Sequence, residues 1–255
     1  MSTALFDLTG RTALVTGSSR GIGHDIAKAL AAAGARVLVN GRNEAAVAAT
    51  VETLRAAGAR VRGYAFDVTD EAAINAALTA IDAEIGPIDI LVNNAGIQRR
   101  MPMTDVPLET WAEVLDTNLT AVFLMARTVA RRMIERKSGK IINICSLMSE
   151  LGRPTIGPYT ASKGGVKMLT KAMCAEWARH NIQVNGIGPG YFATDMNTAL
   201  VEDEAFNAWV CNRTPAGRWG RTEELGGAAV FLASAASDFV NGHILYVDGG
   251  MLAVV

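Results

Sequence analysis

Three observations predict an α/β fold with a doubly wound, parallel, seven-stranded sheet covered by helices on both faces. Short β-rich apolar runs alternate with longer Ala-rich amphipathic stretches along the chain. The runs are near-continuous in apolar residues, as strands buried on both faces must be. No repeat, low-complexity tract or Pro/Ser-rich linker interrupts the pattern, so residues 1–255 read as one domain. In chain order, strands are expected at 12–16, 36–40, 61–66, 88–92, 140–145, 183–187 and 243–247. Helices are expected at 23–33, 44–57, 70–85, 110–137, 161–180 and 223–235. Right-handed crossovers between successive strands keep them parallel and send helices to both faces.

Composition excludes several classes of function. Half of the 255 residues are hydrophobic and 19% are charged, which is too apolar for a disordered chain. The 24 basic and 25 acidic residues nearly cancel, which argues against a nucleic-acid or anionic-membrane surface. The opening MSTALFDLTGR lacks the layout of a signal peptide, and no stretch approaches the ~18 apolar residues of a membrane span. Cys145, Cys174 and Cys211 form no CxxC and read as reduced thiols in a cytoplasmic protein. His24, His180 and His243 form no metal-spaced pair, so no metal site is expected.

The first strand runs into Thr16-Gly17-Ser18-Ser19-Arg20-Gly21-Ile22-Gly23 and then a helix. Gly17 permits a tight turn, while Gly21 and Gly23 let backbone N–H groups and the helix N-terminus approach a pyrophosphate. Ser19, Arg20 and Ile22 complete the expected contact, and the whole reads as a Rossmann-type dinucleotide site. The second strand ends in Asn40-Gly41-Arg42, without the carboxylate that bonds the ribose of NAD. Arg20 and Arg42, beside Asn40, suit a 2′-phosphate, so the expected cofactor is NADP(H). At the third strand's end, before Val68, Asp67 can accept from an adenine amino group or cap a turn. Asn94-Ala95-Gly96 closes the fourth strand, where such sheets bind ligands, though amides with glycine also make turns.

Ser146 follows an apolar strand and belongs at the sheet's carboxyl edge, and Tyr159-x-x-x-Lys163 begins thirteen residues later. Spacing of four puts Tyr159 and Lys163 on one helix face. An ammonium beside a tyrosine favours the phenolate, which can exchange a proton with an alcohol or carbonyl oxygen. Ser146 can hold that oxygen.

With these motifs, Asn118 and Pro189-Gly190 after the sixth strand, the chain resembles the short-chain dehydrogenase/reductase family over essentially its full length. The resemblance implies NAD(P)-dependent interconversion of alcohol and ketone. It implies Tyr159 as acid/base and Lys163 as the residue that binds nicotinamide ribose and lowers the tyrosine pKa. Ser146 would orient the substrate, and Asn118 would hold a water in the proton relay. Residues 189–194, with Pro189, Gly190, Phe192 and Thr194, would meet the nicotinamide carboxamide, although a Pro-Gly turn explains the same composition.

Longer strings, including Gly96-Ile97-Gln98-Arg99-Arg100 and Ser149-Glu150-Leu151-Gly152-Arg153, are similar to family members that reduce 5-keto-gluconate to gluconate. A sugar-acid substrate needs arginines for its carboxylate and polar partners for its hydroxyls, and Arg99, Arg153 and Glu150 are the expected contacts. Met148 stands where the family often has glutamine and lacks the amide's donors, which leaves a different polyol or a less polar substrate open. Another ketone, such as a 3-oxoacyl thioester, and a non-catalytic cofactor sensor are alternatives on the same fold. The apolar end Met251-Leu252-Ala253-Val254-Val255 suggests a subunit contact, and the resemblance implies a homotetramer.

Overall fold

The computed structural model describes residues 3–194 and 197–255. Its strands are β1 (Thr12–Val15), β2 (Arg36–Gly41), β3 (Val61–Ala65), β4 (Ile90–Asn93), β5 (Gly139–Ile144), β6 (Ile182–Pro189) and β7 (Ile244–Val247). They form one sheet in the order β3-β2-β1-β4-β5-β6-β7, with every pairing parallel. The helices are α1 (Gly21–Ala32), α2 (Glu44–Ala56), α3 (Glu71–Glu84), α4 (Leu108–Leu115), α5 (Ala121–Arg136), α6 (Gly157–Trp177), α7 (Thr198–Val201), α8 (Glu204–Arg213) and α9 (Gly226–Ala233).

Alternation along each strand divides the core in two. Ala13, Val15, Val37, Val39, Ile90 and Val92 face α1, α2 and α9. Their neighbours Leu14, Leu38, Leu91 and Ile141 face α3, α5 and α6. The two-residue period of a strand thus supplies both layers from one apolar run. Gly226 lets α9 close on α1, because a Cβ there would lie 2.7 Å from Ala29 Cβ.

The structure departs from the expected elements in three places. The helix expected over 110–137 is divided by a π-helical turn at Asp116–Thr120, where the Ala121 N–H reaches back to the Asp116 carbonyl. α6 begins at Gly157 with Pro158 in its first turn, so Tyr159 lies near its start. α7 and α8 fill the connection after β6, which carried no expected element. Among the described residues no helix is long and apolar enough to cross a membrane. From β1 the chain winds outward to β3 and then returns to start β4 on β1's other side. That reversal opens a crevice at the strands' carboxyl ends.

Candidate active site

A cleft of 1220 Å³ occupies that crevice. Every expected cofactor contact, from Gly17 in the first loop to Thr194 after β6, lines it, as do Ser146, Tyr159 and Lys163.

The β1 loop is tied to the β4 loop. Asn94 Nδ2 donates to the Thr16 and Gly17 carbonyls at 2.9 and 3.0 Å, and Thr16 Oγ1 accepts from the Asn94 and Ala95 N–H groups. Two glycines make the approach possible: a Cβ on Gly17 would meet Ala95 Cα at 2.8 Å, and one on Gly23 would meet Asn94 Nδ2 at 2.3 Å. Gly17 and Gly21 also have φ of +60 and +57, a region that favours glycine. Arg20 at the N-cap of α1 makes no side-chain cap, so the leading N–H groups of this helix remain for an anion. This cradle fits the pyrophosphate of a dinucleotide.

The β2 end carries no carboxylate. Asn40 spends its amide on structure, accepting from the Gly17 N–H at 3.3 Å and donating to the Tyr64 and Phe66 carbonyls. It shapes the pocket, and it also lines the cleft. Arg42 is exposed at the rim, 3.9 Å from Asp67. Asp67 Oδ1 accepts from the Thr69 N–H and hydroxyl, the turn role considered for it, while the residue also lines the cleft.

Ser146 stands beyond β5 as the cap of a short 3-10 turn, its hydroxyl accepting from the Met148 N–H at 3.1 Å. Ser149 Oγ donates to the Lys163 carbonyl, joining this turn to α6. The Tyr159 phenol lines the cleft together with Ser146. Burial raises its pKa above the usual tyrosine value, and the neighbouring Ser146 hydroxyl opposes that. Lys163 is buried, its Nζ donating to the Ile144 carbonyl at 2.6 Å and standing 5.6 Å from the Tyr159 ring centroid. Burial lowers its pKa to about 8, against a smaller opposing effect of the Cys145 thiol. In the protein alone burial dominates the phenol's pKa, and the Lys163 ammonium donates to a backbone carbonyl.

Asn118 sits in the π-helical turn, fully buried and outside the cleft lining. Its side chain clasps the Ile97 backbone, accepting from the N–H at 2.8 Å and donating to the carbonyl at 2.9 Å. It also donates to Ser162 Oγ, which in turn donates to the Tyr159 carbonyl. In the protein alone the side chain therefore holds the β4 loop against α6.

At the far end of the cleft the expected substrate residues separate. Arg99 lines it, but its guanidinium is closed on Glu113 at 3.0 and 2.6 Å. Arg153 lines it with its guanidinium over the Phe206 ring. Glu150 must be corrected: it lies off the cleft, and its carboxylate accepts from the Tyr246 hydroxyl and Lys167. Tyr191, Asn197 and Leu200 line the substrate end without having been anticipated. Asp203, whose side chain accepts from the Phe206 N–H, is the N-cap signal from which α8 could have been read.

Residues 11–205 match the family described as short chain dehydrogenase. The chain is 58% identical over 251 residues to the 5-keto-D-gluconate 5-reductase of Escherichia coli (strain K12), covering 98% of this chain and 99% of that one. It is 51% identical over 257 residues to the 2-dehydro-3-deoxy-D-gluconate 5-dehydrogenase of Formosa agariphila, covering 100% and 97% respectively. A solved gluconate 5-dehydrogenase from Burkholderia cenocepacia J2315, in complex with NADP and tartrate, aligns with a TM-score of 0.97 at 56% identity over 99% of both chains. With sequence and fold matched over almost its whole length, the chain belongs to the short-chain dehydrogenase family.

Proposed function

We propose that this chain is an NADP(H)-dependent oxidoreductase that interconverts 5-keto-D-gluconate and D-gluconate, with Tyr159 as the acid/base. The observation that carries the reading is one cleft holding Ser146, Tyr159 and Lys163 beside a glycine cradle and a β2 end without a carboxylate. The names of the 58% identical reductase and of the NADP-bound neighbour support the substrate and the cofactor.

NADPH, when bound, supplies the hydride that reduces the ketone carbon. Ser146 holds the ketone oxygen, and Tyr159 donates a proton to it as negative charge develops. A phenol with raised pKa is protonated at neutral pH, which suits this direction. Lys163, with its pKa near 8, is mostly charged at pH 7 and stabilises the phenolate left behind. Asn118 acts as a positioning residue through Ile97 and Ser162. Arg20 and Arg42 hold the 2′-phosphate, and Gly17, Gly21 and Gly23 admit the pyrophosphate.

Met148, buried in the cleft wall, favours a second substrate of the same kind, one with fewer hydroxyls. The Formosa agariphila relative is named for a 3-deoxy sugar acid, which has that chemistry. Purified protein assayed with NADPH against both keto-acids and a 3-oxoacyl thioester tests the reading. Turnover confined to the thioester, or absent with every keto-sugar acid, refutes it. Tyr159→Phe should lower kcat by about 10²- to 10⁴-fold while NADPH still binds.

We also propose a homotetramer in the cytoplasm. The exposed apolar Val254 and Val255, with Met168 and Phe123 on helix faces, support subunit contacts, and free Cys145, Cys174 and Cys211 suit a reducing compartment. Light scattering tests the assembly, with a mass near 26.9 kDa counting against it.

A further inference from the structure

The cleft's substrate end holds an arginine that pairs with no acid among the described residues. Arg153 lies on the loop between the Ser146 turn and α6, half-buried in the cleft wall. Its Nε is buried with no hydrogen-bond partner, and among the described residues the side chain makes no ion pair. A guanidinium left so in a cleft is costly unless something arrives to pair with it. Two carboxylates close to the site are already spent. Glu113 is closed on Arg99, and Glu150 is held by Tyr246 and Lys167.

Arg153 is also packed over an aromatic ring. Its guanidinium stands 5.0 Å from the Phe206 ring centroid on α8. Phe206 packs in turn on Tyr191, with ring centroids 5.7 Å apart, and Trp209 and Trp219 hold Tyr191 edge-on at 5.8 and 5.6 Å. A flat, stacked fork of N–H donors is the geometry that meets the two oxygens of a carboxylate. The positive field extends beyond the residue: burial first, and the charge of Arg153 second, lower the pKa of Arg100.

We propose that Arg153 is the anchor for the substrate's carboxylate, kept in its binding plane by Phe206 of α8. The assignment deepens the sugar-acid reading and selects among the arginines, because Arg99 already has its carboxylate while Arg153 does not. It also makes α8 part of substrate recognition, since the helix sets the plane of the anchor.

The experiment is calorimetric titration of the NADP⁺-loaded protein with tartrate and with D-gluconate. Arg153→Met keeps an apolar stem against Phe206 and removes the charge. It should weaken both ligands about 10- to 100-fold and raise KM for 5-keto-gluconate by a similar factor, with kcat changed far less. Arg153→Lys, which keeps charge without the fork, should fall between, and it carries the test should the methionine variant fail to fold. Binding of both ligands within twofold of the unaltered protein, or no binding by the unaltered protein, overturns the anchor. Arg153-dependent binding without reduction of 5-keto-gluconate leaves the anchor standing and removes the substrate reading instead.

Discussion

Lys163 gives the most quantitative test, because its burial has a calculable consequence for stability. Folding lowers its pKa from 10.5 to about 8. Between those values the unfolded chain holds a proton that the folded protein has released, so stability rises with pH across the window. Below about pH 8 both states are protonated, and the folded state bears the full cost of a buried ammonium. A shift of 10.5 to about 8 corresponds to about 3 kcal/mol in all, of which about 2 kcal/mol is recovered between pH 7 and about pH 9.5. Cys145 pulls the other way, since burial raises its pKa from 9.0 to about 11 and its contribution falls as pH rises through that range. Subtracting a Lys163→Met variant removes the Cys145 term to first order. It also removes the lost hydrogen bond to the Ile144 carbonyl, which is a constant offset. Urea unfolding of both proteins at pH 7 and pH 9.5, at one fixed protein concentration, measures the difference. The unaltered protein should gain about 2 kcal/mol relative to the variant. A difference that stays flat within about 0.5 kcal/mol would refute the account of a charged lysine buried at a cost.

Three further outcomes follow from the same geometry. Gly23→Ala drives a Cβ to 2.3 Å from Asn94 Nδ2 and 2.6 Å from the Gly17 carbonyl, so it should cost about 1–3 kcal/mol of stability and weaken NADPH binding, read by thermal unfolding and fluorescence titration. Arg42→Ala should raise KM for NADPH about 10- to 100-fold and leave KM for NADH nearly unchanged. A parallel loss with both cofactors would show that Arg42 does not read the phosphate. Glu150→Gln, remote from the cleft, should leave KM for the sugar acid within about twofold while altering the contact with Tyr246 and Lys167; a larger rise would return Glu150 to the substrate site.

Much of the framework was readable from local pattern. The seven strands fall where apolar runs of the right length occur, and their sharp ends at Gly17, Asn94 and Ser146 mark the cleft's rim. The helix expected over 110–137 is present from Leu108 to Arg136, but the π-helical turn inside it was not legible, because it adds one residue to the spacing without interrupting the apolar pattern. What stabilises that turn is Asn118 reaching across to Ile97, a contact between residues 21 apart in sequence. α8 escaped notice for a related reason: its apolar residues gain their meaning from the Tyr191 and Trp219 rings they pack against.

By itself the sequence determined the parallel sheet, the phosphate loop and the Tyr159–Lys163 pair. Each depends on periodicity or on spacing within a few residues, which the backbone's own geometry converts into position. Only the tertiary structure decided how charge is distributed among side chains that looked equivalent. Glu150 and Arg153 lie three residues apart on one loop, yet Glu150 is neutralised by Tyr246 and Lys167 while Arg153 faces the cleft with an unpartnered Nε. Whether a charge is spent or available depends on what distant chain segments bring within about 3 Å, and that is a property of packing.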